Sequence, residues 1–174
     1  LRRLRQPPRI KALEALAAVA DGRVERLGDR AFIVRSSDGS RLYRVYVDPE
    51  RGVAYSDDNG TRLRGYIGYP IIAALILMGL LPRDDELAEA LRGIPWRRLN
   101  EELKRYALVI ERVKEIVRER GVDPARVDRY MEEVSRALRR IRLAQLPQPP
   151  LELLARRSGG GEGGGEDMQG GGEG

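Results

Sequence analysis

Apolar and polar positions recur with different periods along the chain, and each period predicts a different element. Ile10, Leu13, Leu16, Ala17, Val19 and Ala20 follow helical spacing, and Asp21-Gly22 supplies a stop, so a short helix opens the folded part. Between 23 and 67 the period falls to two, with turn signals at Gly28-Asp29, Asp38-Gly39, Asp48-Pro49 and Asn59-Gly60. Runs 23–27, 31–35, 41–47, 53–56 and 61–67 read as strands, the first and fourth on the weakest signal, giving an antiparallel sheet of about four strands. Residues 71–81, IIAALILMGLL, are apolar all round. A bilayer needs about 20 such residues, so this run predicts a buried helix, begun by Pro70, at the centre of the core.

After a small helix at 84–91, Trp96, Leu99, Leu103, Tyr106, Ile110, Val113 and Val117 follow one another at steps of three and four, a heptad seam. Gly121 stops the helix and Asp123-Pro124 begins another, in which Val127, Met131, Val134, Leu138 and Ile141 continue the alternation. The pattern predicts a coiled-coil-like helical hairpin that either folds back on its own domain or joins two copies. The expectation is a homodimer made through Leu99, Leu103, Tyr106, Ile110, Val113, Val117, Val134 and Leu138. The fold class is α+β: a small antiparallel sheet packed with helices, followed by this hairpin. The expected organisation is a flexible basic arm at 1–9, an α+β nucleic-acid-binding domain at 10–95, and a helical dimerisation region at 96–145. A Pro-rich spacer and a disordered Gly/acidic tail at 146–174 complete it.

The two strands 41–47 and 61–67 carry the candidate chemistry. Side chains two apart share a face. Leu42, Arg44 and Tyr46 then oppose Tyr43, Val45 and Val47, while Arg62, Arg64 and Tyr66 oppose Thr61, Leu63 and Ile67. If the two polar faces coincide, guanidinium groups alternate with phenol rings, phosphates meet the first and bases stack on the second. Arg35, Tyr55 and Tyr69 are second-rank members of the same site. The competing reading is a solvated face that only keeps a half-buried sheet soluble.

Charge sharpens this picture. The 174 residues carry a formal +5, but Ser158 to Gly174 hold four carboxylates and no basic residue. Residues 1–157 therefore set all 32 basic groups against 23 acidic ones, a body of +9 with a tail of −4. A basic body favours polyanions, and an acidic tail can compete for the same face or recruit protein partners. The chain has no Cys and no His, which removes thiol nucleophiles, disulfides, Cys/His zinc sites and histidine bases. Asp57-Asp58-Asn59-Gly60 lacks the ligand spacing of a calcium loop and reads as a hairpin turn. No phosphate loop or metal-ligand cluster appears, so neither an enzyme nor a cofactor is expected. No apolar run follows the charges of LRRLRQPPR, and a cytoplasmic protein without membrane contact is the expectation.

The order of parts resembles the ThermoDBP family, single-stranded-DNA-binding proteins of thermophilic archaea with relatives that favour RNA. The likeness covers roughly 8–144 and lies in the short helix, the basic aromatic sheet, the helix begun by GYIGYPIIAALI, the IPWRRLNEELKRYA entry and the acidic end. It implies single-stranded nucleic acid held in a cleft by Arg44, Tyr46, Arg62, Arg64 and Tyr66, and dimers made through the C-terminal helices. A single Phe and a single Trp depart from an aromatic-rich cleft, leaving stacking to Tyr. The hairpins before an apolar helix also look like a SWIM-type zinc module, but Ala54, Ser56, Gly68 and Pro70 stand where ligands belong. That likeness reduces to a metal-free interaction or assembly scaffold.

Overall fold

The computed structural model describes residues 1–154, and the Gly/acidic tail falls outside them. The chain runs β1 (Arg2–Arg3), α1 (Ile10–Ala20), β2 (Val24–Arg26), β3 (Ala31–Arg35), β4 (Leu42–Asp48), β5 (Val53–Ser56) and α2 (Asn59–Arg62). It continues through α3 (Tyr69–Leu77), α4 (Asp85–Ala90), α5 (Trp96–Leu103), α6 (Tyr106–Glu119), α7 (Ala125–Leu138) and β6 (Ala144–Gln145). The fold is mixed α+β, with one sheet in the order β1-β6-β5-β4-β3-β2. All neighbours are antiparallel except β5 and β6.

The sheet has six strands rather than four. The additional ones, β1 and β6, are two residues each, too short to leave a period in the sequence. The expected mobile arm is tied down: Arg2 and Arg3 pair with Gln145 and Ala144, Leu4 is buried, and Arg5 bridges Tyr66. The strand expected at 61–67 does not form. Asp58 caps a helical turn instead, accepting the Thr61 N–H at 3.1 Å and the Ser56 hydroxyl. Asn59-Gly60, expected as a hairpin turn, lies inside that turn of helix. Gly60 is required there because a Cβ would stand 2.6 Å from Tyr66 Cε1.

One face of the sheet, with Phe32, Val34, Tyr43, Val45, Val47 and Ala54, packs on α3, which packs in turn on α1. Residues 69–76 of α3 are all buried, as an all-apolar run requires. Helix α1 is enclosed more fully than its apolar stripe implies, with Ile10 to Ala18 buried, Lys11 and Glu14 included. The Lys11 ammonium lies 3.2 Å from Glu14 Oε1, 5.7 Å from the centre of the Tyr106 ring, and Asn100 Nδ2 donates to Glu14 Oε2 at 3.2 Å. Burial pushes the Lys11 pKa down, but Glu14, Tyr66 and Tyr106 outweigh it and hold it above its ordinary 10.5.

The heptad seam is interrupted and internal. Lys104, in the left-handed region at φ 64°, closes α5, so Leu99 and Leu103 lie on a different helix from Tyr106 and its successors. Val113, Val117, Val134 and Leu138 are fully enclosed in the same core cluster as the sheet, and Leu99 joins them. Leu103 and Ile110 pack at its margin, while Tyr106 is 39% exposed. Most of the seam thus packs within the chain, against its own α1, α4 and α5, and Tyr106 stays at the surface. Residues 10–95 and 96–145 share one core rather than dividing between two. Among the described residues, no helix is long and apolar enough to cross a membrane.

Candidate functional site

The other face of the sheet carries the residues with binding chemistry. Strand alternation places Arg44 and Tyr46 there, and the β4–β5 register sets Tyr46 directly opposite Tyr55, with Ala31 of β3 on its other side. Ile33 pairs with Arg44 and Arg35 with Leu42, extending the same face along β3 and β4. Across β5 and β6, Val53 pairs with Ala144 and Ala144 with Arg3, which brings Arg3 to the face that bears Tyr55. Asp48, Pro49 and Gly52 shape the β4–β5 turn, where the Arg51 N–H reaches Asp48 Oδ1 at 3.2 Å.

Ion pairs and burial tune this face. Arg44 is bound twice by Asp57, through its backbone N–H at 2.9 Å and its Nε at 3.2 Å. Arg30 Nε stands 3.3 Å from Asp48 Oδ2. Burial raises the Tyr55 pKa, assisted by Asp57 and opposed by Arg44 and Arg62. Burial likewise raises Tyr46, assisted by Glu152 and Asp48 and opposed by Arg30 and Arg51. Both phenols therefore stay neutral at physiological pH. Burial also raises the Asp57 carboxyl, against the hydrogen bonds from Arg44.

The tyrosine pair is covered. After β6 the chain turns over this face, and Leu153 packs on Ala31, Tyr46 and Tyr55 in a second apolar cluster, with Leu27, Val53 and Leu146 at its edge.

The remaining sequence candidates disperse. Arg62, at the end of α2, is exposed, and its charge acts on Tyr55. Arg64 is exposed beyond α2, and its carbonyl accepts the Arg5 guanidinium. Tyr66 is 5% exposed and turned away from the sheet toward Lys11 and Tyr106. Tyr69 is in the core, edge-on to Tyr43 with ring centres 6.2 Å apart. Tyr66 and Tyr69 therefore do not belong to the face. Asp57 and Asp58 serve opposite sides, Asp57 binding Arg44 and Asp58 capping α2 against Gly68, where a Cβ would collide with its carboxylate.

Sequence reading placed Arg3 only in the basic arm and did not single out Arg30 and Arg51, which lie in turns, where no period marks a face. Arg2, Arg3, Arg5, Arg62 and Arg64 are exposed and enter no ion pair among the described residues. Arg2 lies beside Gly65 and Arg5 beside Arg64, so like charges gather at the β1 edge.

The buried phenol of Tyr66 has a measurable consequence. Burial lifts its pKa to about 12, against 10.0 ordinarily. The native state holds that proton more tightly than the unfolded chain, so its stabilisation is complete below pH 10 and declines as pH rises toward 12. Lys11, raised above 10.5, loses stabilisation in the same direction. Thermal melts are expected to fall from about pH 10 upward, and Tyr66→Phe to flatten that fall.

No curated protein and no solved structure matches the chain. A family model described as Uncharacterised conserved protein UCP014422 matches residues 4–144, a span that holds Tyr46, Tyr55, Arg44 and the core beneath them and ends before Leu153. The chain belongs to that family.

Proposed function

We propose that the chain binds single-stranded nucleic acid, with single-stranded DNA the leading ligand, on the sheet face that bears Tyr46 and Tyr55. The observation that carries this reading is the cross-strand pair of neutral tyrosines with Arg3, Arg30, Arg35, Arg44, Arg51 and Arg62 about it. Two phenols paired across neighbouring strands suit stacked bases once uncovered, and every base offers a π-face, so sequence preference is weak. The arginines take the phosphates, with Arg44 and Arg30 exchanging Asp57 and Asp48 for them in part. The function is binding rather than catalysis. Arg2, Arg5 and Arg64 continue the cationic path to the edge of the sheet.

A fluorescence titration of single-stranded DNA, single-stranded RNA and duplex DNA at two salt concentrations tests this. Single strands are expected to bind more tightly than duplex. Each phosphate neutralised contributes about 0.7 to the slope of log affinity against log salt, so four contacts give roughly −3. A slope near zero, or no preference for single strands, would overturn the reading in favour of an interaction scaffold. A ribose analogue with its 2′-hydroxyl removed separates the RNA-binding alternative from the DNA-binding one.

A further inference from the structure

We infer that residues 147–154 form a displaceable cover over the Tyr46–Tyr55 pair, and that a nucleobase and Leu153 compete for the same surface. The inference rests on the nucleic-acid reading of that face and adds its regulation. Leu153 is 2% exposed, whereas Leu151 on one side is 76% exposed and Leu154 on the other 39%. One side chain therefore anchors the segment. The last backbone bond to the sheet is Leu146 N–H to the Ala54 carbonyl at 2.8 Å, and the Leu153 N–H bonds only within its own turn, to Pro150 at 3.0 Å. Pro147, Pro149 and Pro150 have no N–H to donate, so the intervening chain cannot zip onto the sheet and instead acts as a stiff strap.

What the strap covers differs from the rest of the interior. The main core is sealed by helices, while among the described residues the second cluster has only Ala31, Tyr46, Tyr55 and Leu153 as buried members. A tyrosine pair closed by one leucine on a short strap can be uncovered without opening the main core. The strap also brings Glu152 near Tyr46, a carboxylate set against the phosphates that Arg30 and Arg51 would hold. Leu153 thus occupies the position of a base and Glu152 opposes that of a phosphate. The apparent affinity of the closed protein is the intrinsic affinity reduced by the fraction that is open.

The test uses the full chain, wild type and Leu153→Ser, titrated with an oligothymidylate, with hydrogen exchange followed at 151–154. Removing one buried leucine is expected to raise affinity about ten- to a hundredfold, and oligonucleotide bound to wild type is expected to accelerate exchange at Leu153. Glu152→Gln is expected to tighten binding further in the Leu153→Ser background and to make it more salt-sensitive, because it removes a charge that opposes the phosphates. Equal affinity of wild type and Leu153→Ser, or unchanged exchange at Leu153 in the bound wild type, would overturn the cover and leave the nucleic-acid face standing. Absence of binding by both proteins would overturn the nucleic-acid reading, and the competition with it. A melt of Leu153→Ser unchanged within a few degrees separates a lifted cover from a damaged fold.

Discussion

Replacing Tyr46 and Tyr55 together by alanine is expected to weaken single-strand binding by about 2–6 kcal/mol, thirtyfold or more, because each base stacked on an aromatic ring contributes about 1–3 kcal/mol. The two rings are register partners on β4 and β5, so one short stretch of strand meets both. The loss should be similar at both salt concentrations, since stacking is not a charge contact, whereas Arg3→Ser or Arg62→Ser should reduce the salt slope by about 0.7 each. Tyr66→Phe is the decisive comparison. Its ring is 5% exposed behind Gly60, so its hydroxyl governs the alkaline loss of stability and contributes nothing to binding. Anisotropy titrations of the four variants measure this directly; a double variant that binds as tightly as wild type would remove the tyrosine pair from the site. The double variant also loses the surface beneath Leu153, so its melt must be recorded beside its affinity.

Glu14→Ala is expected to destabilise the fold by about 3–5 kcal/mol, the cost of leaving a buried charge without its partner. Lys11 and Glu14 are 1% and 2% exposed on a helix enclosed along almost its whole length, and water does not reach the ammonium. Asn100, which donates to Glu14, would lose its acceptor as well. Replacing both members, as Lys11→Met with Glu14→Leu, is expected to be near neutral or stabilising, because two desolvation costs vanish together. Urea denaturation of the single and double variants distinguishes these outcomes. A single variant within about 1 kcal/mol of wild type would mean that α1 opens to solvent.

The alternation in 41–47 was legible because its two faces have different partners: Tyr43, Val45 and Val47 lie in the main core with α3, while Arg44 pairs with Asp57 and Tyr46 lies under Leu153. The similar alternation at 61–67 misled because local capping decided it. Asp58 accepts the Thr61 N–H and Tyr66 packs on Gly60, and those contacts turn the chain into a helix before a strand can extend. The heptad spacing identified which positions of α6 and α7 are apolar, but spacing is the same whether the covering surface is a second copy or the chain's own α1 and α4.

Sequence alone therefore determined the local periods: the helix at α1, the central strands, the buried α3, the apolar stripes of α6 and α7, and the basic surplus outside the tail. Tertiary structure decided which distant groups meet. It paired β1 with β6, moved Tyr66 and Tyr69 inward, joined Asn100 to Glu14, and laid Leu153 over Tyr46 and Tyr55. The physical reason is range. Backbone propensity and side-chain period act over a few residues, whereas burial and strand pairing depend on contacts between segments as far apart as Arg2 and Gln145, and nothing local in the sequence marks them.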